Sequence, residues 1–343
     1  MRERYMGIDI HKRKCVYTEL DHAGKVIRRG SFGNHFEGVE EFVSGLSGRE
    51  HVVVEPTLNY LWLCDQLEPC VASIHPTVPS QVKVIAAAKN KSDRYDSRIL
   101  AELLRTNFLP ESYYLPKEMR GLREVIRQRG HLVKQRTMLK NRVRRHLFNH
   151  GYTISAKDVS SRLAGEQIAA LALPALTRQL IGQCQQLIKQ LDRRIATLEE
   201  LMRRSCAGVK MVELLRTISG IGPIWSAVIY AEVVDIKRFR SGAAFASYTG
   251  LVPSVRQSGD SYHTGQITHQ GSRPLRTALV EAAISAYHHS RLLHDLYYRV
   301  FFKQGFQTAR VAVAHKLALI IYAMLTRGEP FRADAVLCRR SKG

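Results

Sequence analysis

The sequence is short of acid. Thirty Asp and Glu face 52 Lys and Arg, and the formal net charge of +22 is too one-sided to serve solubility alone, so a polyanionic partner is expected. It also lacks any CxxC pair. The six cysteines, Cys15, Cys64, Cys70, Cys184, Cys206 and Cys338, are scattered, which argues against zinc ribbons and disulfide scaffolds and for a reducing, cytoplasmic setting. No apolar run approaches the roughly 20 residues that span a bilayer, and no Trp/Phe-rich amphipathic anchor is present. Met1-Arg2-Glu3-Arg4 leads straight into an apolar strand, so no signal peptide and no membrane role are expected. HExxH spacing is missing too, which leaves His288, His289, His294 and His315 as structural or surface residues.

What is present starts with Tyr5-Met6-Gly7-Ile8-Asp9-Ile10, an apolar run with one carboxylate inside it. An ionised Asp in a buried strand costs several kcal/mol unless a cation meets it, on the order of the penalty for any unpaired buried charge. Three more acids can be arranged around it: Glu55, directly after Val52-Val53-Val54, and the i, i+3 pair Asp93 and Asp96. For any one of them the ordinary role is a capped or solvated carboxylate, and Arg94 or Arg98 could relieve the aspartate pair without a metal. Four at these positions favour two Mg²⁺ ions held by oxygen ligands, the arrangement that neutralises a phosphate during phosphodiester chemistry.

The 343 residues, 45% of them hydrophobic, suffice for two or three globular domains. Periodicity and turn residues give strand, turn, strand, turn, strand from Tyr5 to about Phe32, and then a helix from Phe36 closed by Gly45 and Gly48. A strand from His51 to Glu55, a helix from Leu58 to Leu67 and a short strand ending at Pro76 follow. After a basic loop with Lys83, Lys89 and Lys91, Ser92 is placed to cap a helix whose apolar face is Tyr95, Ile99, Leu100, Leu103 and Leu104. This is the element order of a ribonuclease-H-like fold. Leu115 to Gly151 reads as one long helix with eleven cations and two acids, Glu118 and Glu124, suited to a phosphate backbone; the ordinary alternative is a solvated bundle face. Leu176 to Met202 carries Leu180, Cys184, Leu187, Leu191, Leu198 and Leu201 in a heptad-like seam interrupted by Arg194, expected to pair with the basic helix, with a second chain, or with both. Gly220-Ile221-Gly222 forms a turn between helices that could present amides to a phosphate. Phe239 to Leu251 reads as helix. A polar, Gly-rich loop through Ser258 and Gly271 follows, and two apolar helices, Leu275 to Tyr298 and Ala309 to Leu325, close the chain. Ser258, beside Gly259 and with Arg256 and Arg273 nearby, is either ordinary turn chemistry or a nucleophile.

Gly7-Ile8-Asp9, Val54-Glu55-Pro56-Thr57, Lys91-Ser92-Asp93 with Asp96 and Ala101-Glu102, Gly220-Ile221-Gly222, Gly250-Leu251-Val252-Pro253, Gln257-Ser258-Gly259 and Leu275-Arg276 resemble, in order and over nearly the whole chain, the DEDD transposases of the bridge-RNA-guided insertion-sequence family numbered one hundred and ten, kin to the Piv DNA invertases. The resemblance implies α/β plus α architecture: a RuvC-like domain over 1–110, a basic helix and coiled coil over 111–207, and a mainly α transposase domain over 208–343 with a helix-hairpin-helix-like element. It implies that Asp9, Glu55, Asp93 and Asp96 bind Mg²⁺ and that Ser258 forms a phosphoserine link to DNA. A noncoding bridge RNA would pair with target and donor double-stranded DNA, and a tetramer, a dimer of dimers, would exchange strands in a prokaryotic, nucleoid-associated setting. Lys91, Arg94, Arg256, Arg273 and Arg276 neighbour the expected site and are the nucleic-acid-binding candidates. Pro56 stands where the family more often has a small residue, and is expected to alter the strand exit. A Holliday-junction-type nuclease using water, and a non-catalytic nucleic-acid-packaging protein, are the rival functions.

Overall fold

The computed structural model describes residues 3–57, 59–79, 81–82, 93–258, 261–268 and 270–332. Lys91, and Ser92 as the expected cap, lie outside these residues. The chain divides into two compact units, 1–115 and 116–343. The expected basic helix and coiled-coil segment therefore falls in one unit with the C-terminal segment.

In the first unit, β1 (Arg4–Ile10), β2 (Lys14–Leu20), β3 (Val26–Gly33), β4 (Glu50–Val54) and β5 (Ser73–Pro76) form one sheet in the order β3-β2-β1-β4-β5. The first three strands run antiparallel, and β4 and β5 join parallel to β1. Strand β1 is apolar on both sides because both of its faces are covered. Met6, Ile8 and Ile10 pack with Val39 and Phe42 of α1 (Phe36–Ser44) and with Leu63, Cys64 and Leu67 of α2 (Tyr60–Leu67). On the opposite face α3 (Asp93–Arg105) lies directly on Gly7: a Cβ there would overlap the Ser97 carbonyl oxygen and stand 2.7 Å from Ala101 N. A hydrogen bond of 2.9 Å between the Thr18 and Ser97 hydroxyls ties the same helix to β2. The buried side of α3 is thus Ser97, Leu100, Ala101 and Leu103, whereas Tyr95 is exposed, which corrects the expected face. Close backbone contact at Gly7 seats the helix, and Leu100 and Leu103 pack beside it against Val53.

The second unit begins with α4 (Lys117–Asn149), followed by α5 (Arg162–Ala169) and α6 (Ala175–Ser205). Helices α4 and α6 run antiparallel, as the pairs Arg129–Glu199 at 2.7 Å and Arg136–Asp192 at 2.7 Å require. The seam keeps Cys184 of the expected one but differs at Leu180, Leu187 and Leu201. Ile181, Cys184, Ile188, Ile195 and Met202 are buried, while Leu180, Leu187 and Leu201 are 46, 48 and 44% exposed. The two stripes lie one residue apart, and the isoleucine stripe keeps the heptad unbroken where Arg194 would have interrupted it. Part of the basic face of α4 is also engaged within the unit: Arg123 Nε donates to the Ala231 carbonyl at 2.8 Å, and Lys140 pairs with Asp158 at 2.6 Å.

Beyond α6 come α7 (Lys210–Arg216), α8 (Pro223–Val233) and α9 (Gly242–Thr249), then a β6 (Pro253–Ser258) and β7 (Ser261–Ile267) hairpin, α10 (Arg273–Ala286) and α11 (Arg291–Arg327). Phe239 precedes α9, whose N-cap is Ser241, so the expected helix from Phe239 starts later. The expected helix across Leu275 to Tyr298 is broken, since a new helix begins after Ser290, is kinked at Gly305 (φ +80°) and continues to Arg327. By length and composition α11 could cross a membrane, but Leu293, Tyr297, Ala309, Val313, Leu317 and Ile321 are buried within the unit.

Candidate active site

Side-chain parity along β1 decides what meets what. Gly7 faces α3, so Asp9, two residues on, faces the same way and lies at the first turn of that helix, where Asp93 and Asp96 stand. Register Ile8–Val54 between β1 and β4 brings Glu55, the next residue, level with Asp9. The backbone leaves β4 at this point, and Thr57 Oγ1 donates to the Ile10 carbonyl at 3.3 Å, which holds the Glu55-Pro56 exit against β1. All four predicted acids are therefore brought together at the same end of the sheet: Glu55, Asp96 and Asp93 each act electrostatically on Asp9.

Asp9 is 8% exposed. Burial, opposed by His11 and reinforced by the charges of Glu55, Asp96 and Asp93, holds its carboxyl above the usual carboxylate range. Two residues that were not singled out in the sequence complete the cluster. His11 Nε2 is 3.1 Å from Asp9 Oδ2 and 3.3 Å from Asp93 Oδ2, and Lys14 Nζ is 3.6 Å from Asp93 Oδ2. One ligand atom each from Asp9, His11 and Asp93 lies within 4.8 Å of the others. His11 is two positions beyond Asp9, in the turn just past the end of β1. Cys15 is near but inert, because burial and the Asp9 charge push its thiol up to about 12.

Ser258 is the last residue of β6 and pairs with Ser261, and Arg256 pairs with His263. The side chains of Ser258, Arg256 and Arg94 lie outside the described residues, as do Gly259 and Asp260. The expected Gly-rich loop is thus a β-hairpin. Its two ends are pressed together: Gly250 (φ +68°) has no room for a Cβ against the Gln270 carbonyl, nor Gly271 (φ +96°) against the Tyr248 carbonyl. Arg276 is half-buried and donates from Nη1 to the Thr249 carbonyl at 3.2 Å, so part of its guanidinium braces this base. Arg273 is exposed at the first position of α10. Ser272 caps that helix and donates to the buried Glu232 Oε2 at 3.0 Å. Gly220 (φ +95°) owes its identity to packing, since a Cβ would lie 2.6 Å from the Ala282 carbonyl, while Gly222 faces open space at the N-cap of α8.

An acid cluster on a mixed sheet, together with a separate helical unit bearing a serine-tipped hairpin, coincides with two family profiles. Residues 6–150 match a DEDD transposase profile, and residues 212–298 match the profile described as transposase IS116/IS110/IS902 family. The chain is 28% identical to a probable family 20 transposase of Pseudomonas aeruginosa, an alignment that spans 84% of this chain and 95% of that protein. It is 28% identical to the transposase for insertion sequence element IS1111A of Coxiella burnetii, across 97% and 92% of the two chains. The pilin gene-inverting protein of Moraxella bovis is 26% identical across 96% and 98%. These findings define a transposase, an enzyme that acts on DNA. The chain belongs to the IS110/IS116/IS902 family of insertion-sequence transposases.

Proposed function

We propose that this transposase is an RNA-guided recombinase that cuts and rejoins DNA through a serine–phosphate link while the four acids hold Mg²⁺. The observation that carries the reading is Asp9: a buried carboxylate facing three other acids, its carboxyl held above the usual range by burial and by their charges, is a site in want of a cation. The donor set fits a divalent ion. Its ligands are carboxylate oxygens at one sheet end, and the buried Nε2 of His11 aims into the cluster with no hydrogen-bond partner. The sheet order and the places of the acids support a RuvC-like assignment of the first unit.

A bound ion would supply charge neutralisation at the scissile phosphate. The chain's own part is to position that phosphate against Asp9, Glu55, Asp93 and Asp96, with Lys14 adding a cation at the rim. Ser258 Oγ then attacks phosphorus, a new serine Oγ–P bond replaces the P–O bond to the leaving sugar, and the sugar oxygen takes up a proton. Because one phosphodiester replaces another, a second sugar hydroxyl can reverse the step and rejoin DNA. Bridge RNA paired with target and donor DNA would choose the sites, and a dimer of dimers would bring the acids and Ser258 of different protomers to one phosphate. Arg273 and the exposed cations of α4 are available to the phosphate backbones.

The test is incubation of wild type and Ser258→Ala with the element's RNA and both DNAs, followed by denaturing electrophoresis. A protein–DNA adduct in wild type that Ser258→Ala lacks is expected. Cleavage by both proteins without an adduct would replace this reading with a nuclease that uses water. Purification of the protein with a defined RNA encoded beside its gene tests the guide separately.

A further inference from the structure

The geometry points to His11 as a nitrogen ligand of the ion held by Asp9 and Asp93, which makes this a mixed nitrogen–oxygen site that prefers a first-row transition ion such as Mn²⁺ over Mg²⁺. This rests on the metal reading above. Two contacts define the position: Nε2 is 3.1 Å from Asp9 Oδ2 and 3.3 Å from Asp93 Oδ2. Neighbouring ligands of an octahedral ion with bonds of about 2.1 Å stand about 3.0 Å apart, so both spacings suit atoms that share one ion. The other explanation is an imidazolium clamped between two carboxylates. That arrangement aligns an N–H with an acceptor, yet Nε2 is buried and has no hydrogen bond of acceptable geometry.

The backbone of His11 is held on both sides. His11 N donates to the Lys14 carbonyl at 3.0 Å, closing the β1–β2 turn, and Asn34 Nδ2 donates to the His11 carbonyl at 2.7 Å. Asp9 and His11 are two positions apart, Asp9 within β1 and His11 in the turn that follows it, and their side chains meet at 3.1 Å. A residue held from both sides with its nitrogen aimed at two carboxylates is built to bind there. Imidazole favours transition ions, whereas Mg²⁺ keeps to oxygen and binds poorly to such a donor. The hard cluster of four acids would then carry one ligand that discriminates between ions.

The experiment uses the full chain with Mn²⁺ as the probe. Bound ion is counted by the fall in the free Mn²⁺ resonance, and its ligands are read by electron spin echo modulation with natural and ¹⁵N-histidine-labelled protein. Imidazole nitrogen coupling that changes with the label is expected in wild type and should be absent in His11→Asn. Competition with Mg²⁺ should show the Mn²⁺ preference of His11→Asn reduced by about tenfold or more, at least the scale on which outer-shell partners of metal sites act. Bound Mn²⁺ in wild type without histidine coupling overturns the inference and leaves the metal reading standing, whatever the variant does. Coupling that persists in His11→Asn overturns it equally. Failure of wild type to bind Mn²⁺ at all would remove the metal reading and this inference with it.

Discussion

Asp9 and Glu50 are both buried carboxylates on neighbouring strands, and burial leaves them in opposite states. For Glu50 the cost of burial is outweighed by hydrogen bonds from the Ser47 hydroxyl and from the Ser47 and Arg49 backbone, which hold its carboxyl below the usual range. For Asp9 burial wins and the carboxyl is held above it. An acid raised in the folded state binds more protons there than in the unfolded chain, so its destabilising effect is complete above the raised value and vanishes below the ordinary value of about 4. Asp9→Asn is therefore expected to melt higher than wild type at pH 7 without added metal, to lose that advantage near pH 4, and to be inactive in DNA cleavage. Thermal melts across pH check the first two and a cleavage assay the third. The clustering of Asp9 with its three fellow acids was legible in the sequence, because strand parity and the i, i+3 spacing are local rules. His11 was not, because an imidazole beside an acid has no signature of its own until β1 and α3 are packed.

At the scale of elements, α3 rests on Gly7 with almost no side chain between them. Gly7→Ala should separate helix and strand, at a cost of about 1–3 kcal/mol or more, and displace Asp93 and Asp96 from Asp9; denaturant melts and metal titration would read both effects. In α6 the isoleucine stripe predicts a contrast one residue wide. Ile188→Ala should cost about 2–5 kcal/mol and Leu187→Ala well under half of that, since only Ile188 is fully buried. Equal destabilisation by the two would restore the leucine seam. That slip by one residue has a physical origin: leucines at 180, 187 and 201 keep a seven-residue repeat broken only by Arg194, and one long side chain that can carry its charge out to solvent does not by itself rule a stripe out. The β6–β7 hairpin escaped for another reason. Its strands, Pro-Ser-Val-Arg-Gln-Ser and Ser-Tyr-His-Thr-Gly-Gln-Ile, hold few apolar residues, so they lack the sustained alternation by which a half-buried strand is recognised.

For the molecule as a whole, charge and relatives agree on a nucleic-acid partner, while the sequence alone could not show how the cations are divided between structure and ligand. Arg129, Arg136 and Lys140 are paired within the second unit; Arg127, Lys134, Arg142 and Arg145 are exposed. Changing those four to Gln should leave the fold intact and lower the salt dependence of duplex DNA binding, by about 0.9 in the slope of log K against log salt for each phosphate that is no longer neutralised. Fluorescence anisotropy over a salt series would measure it, and an unchanged slope would assign DNA binding to other cations. With Ser258 as the nucleophile proposed above, the hairpin sets how far it can reach. Five residue steps separate Pro253 from Ser258, roughly 17 Å at about 3.3 Å per step, and the clamp at Gly250 and Gly271 makes this a boom of set length. Trimming the boom by two facing residues on each strand would draw its tip back about 7 Å without turning it over. Catalysis in this enzyme would then depend on a length of chain as strictly as on any side chain.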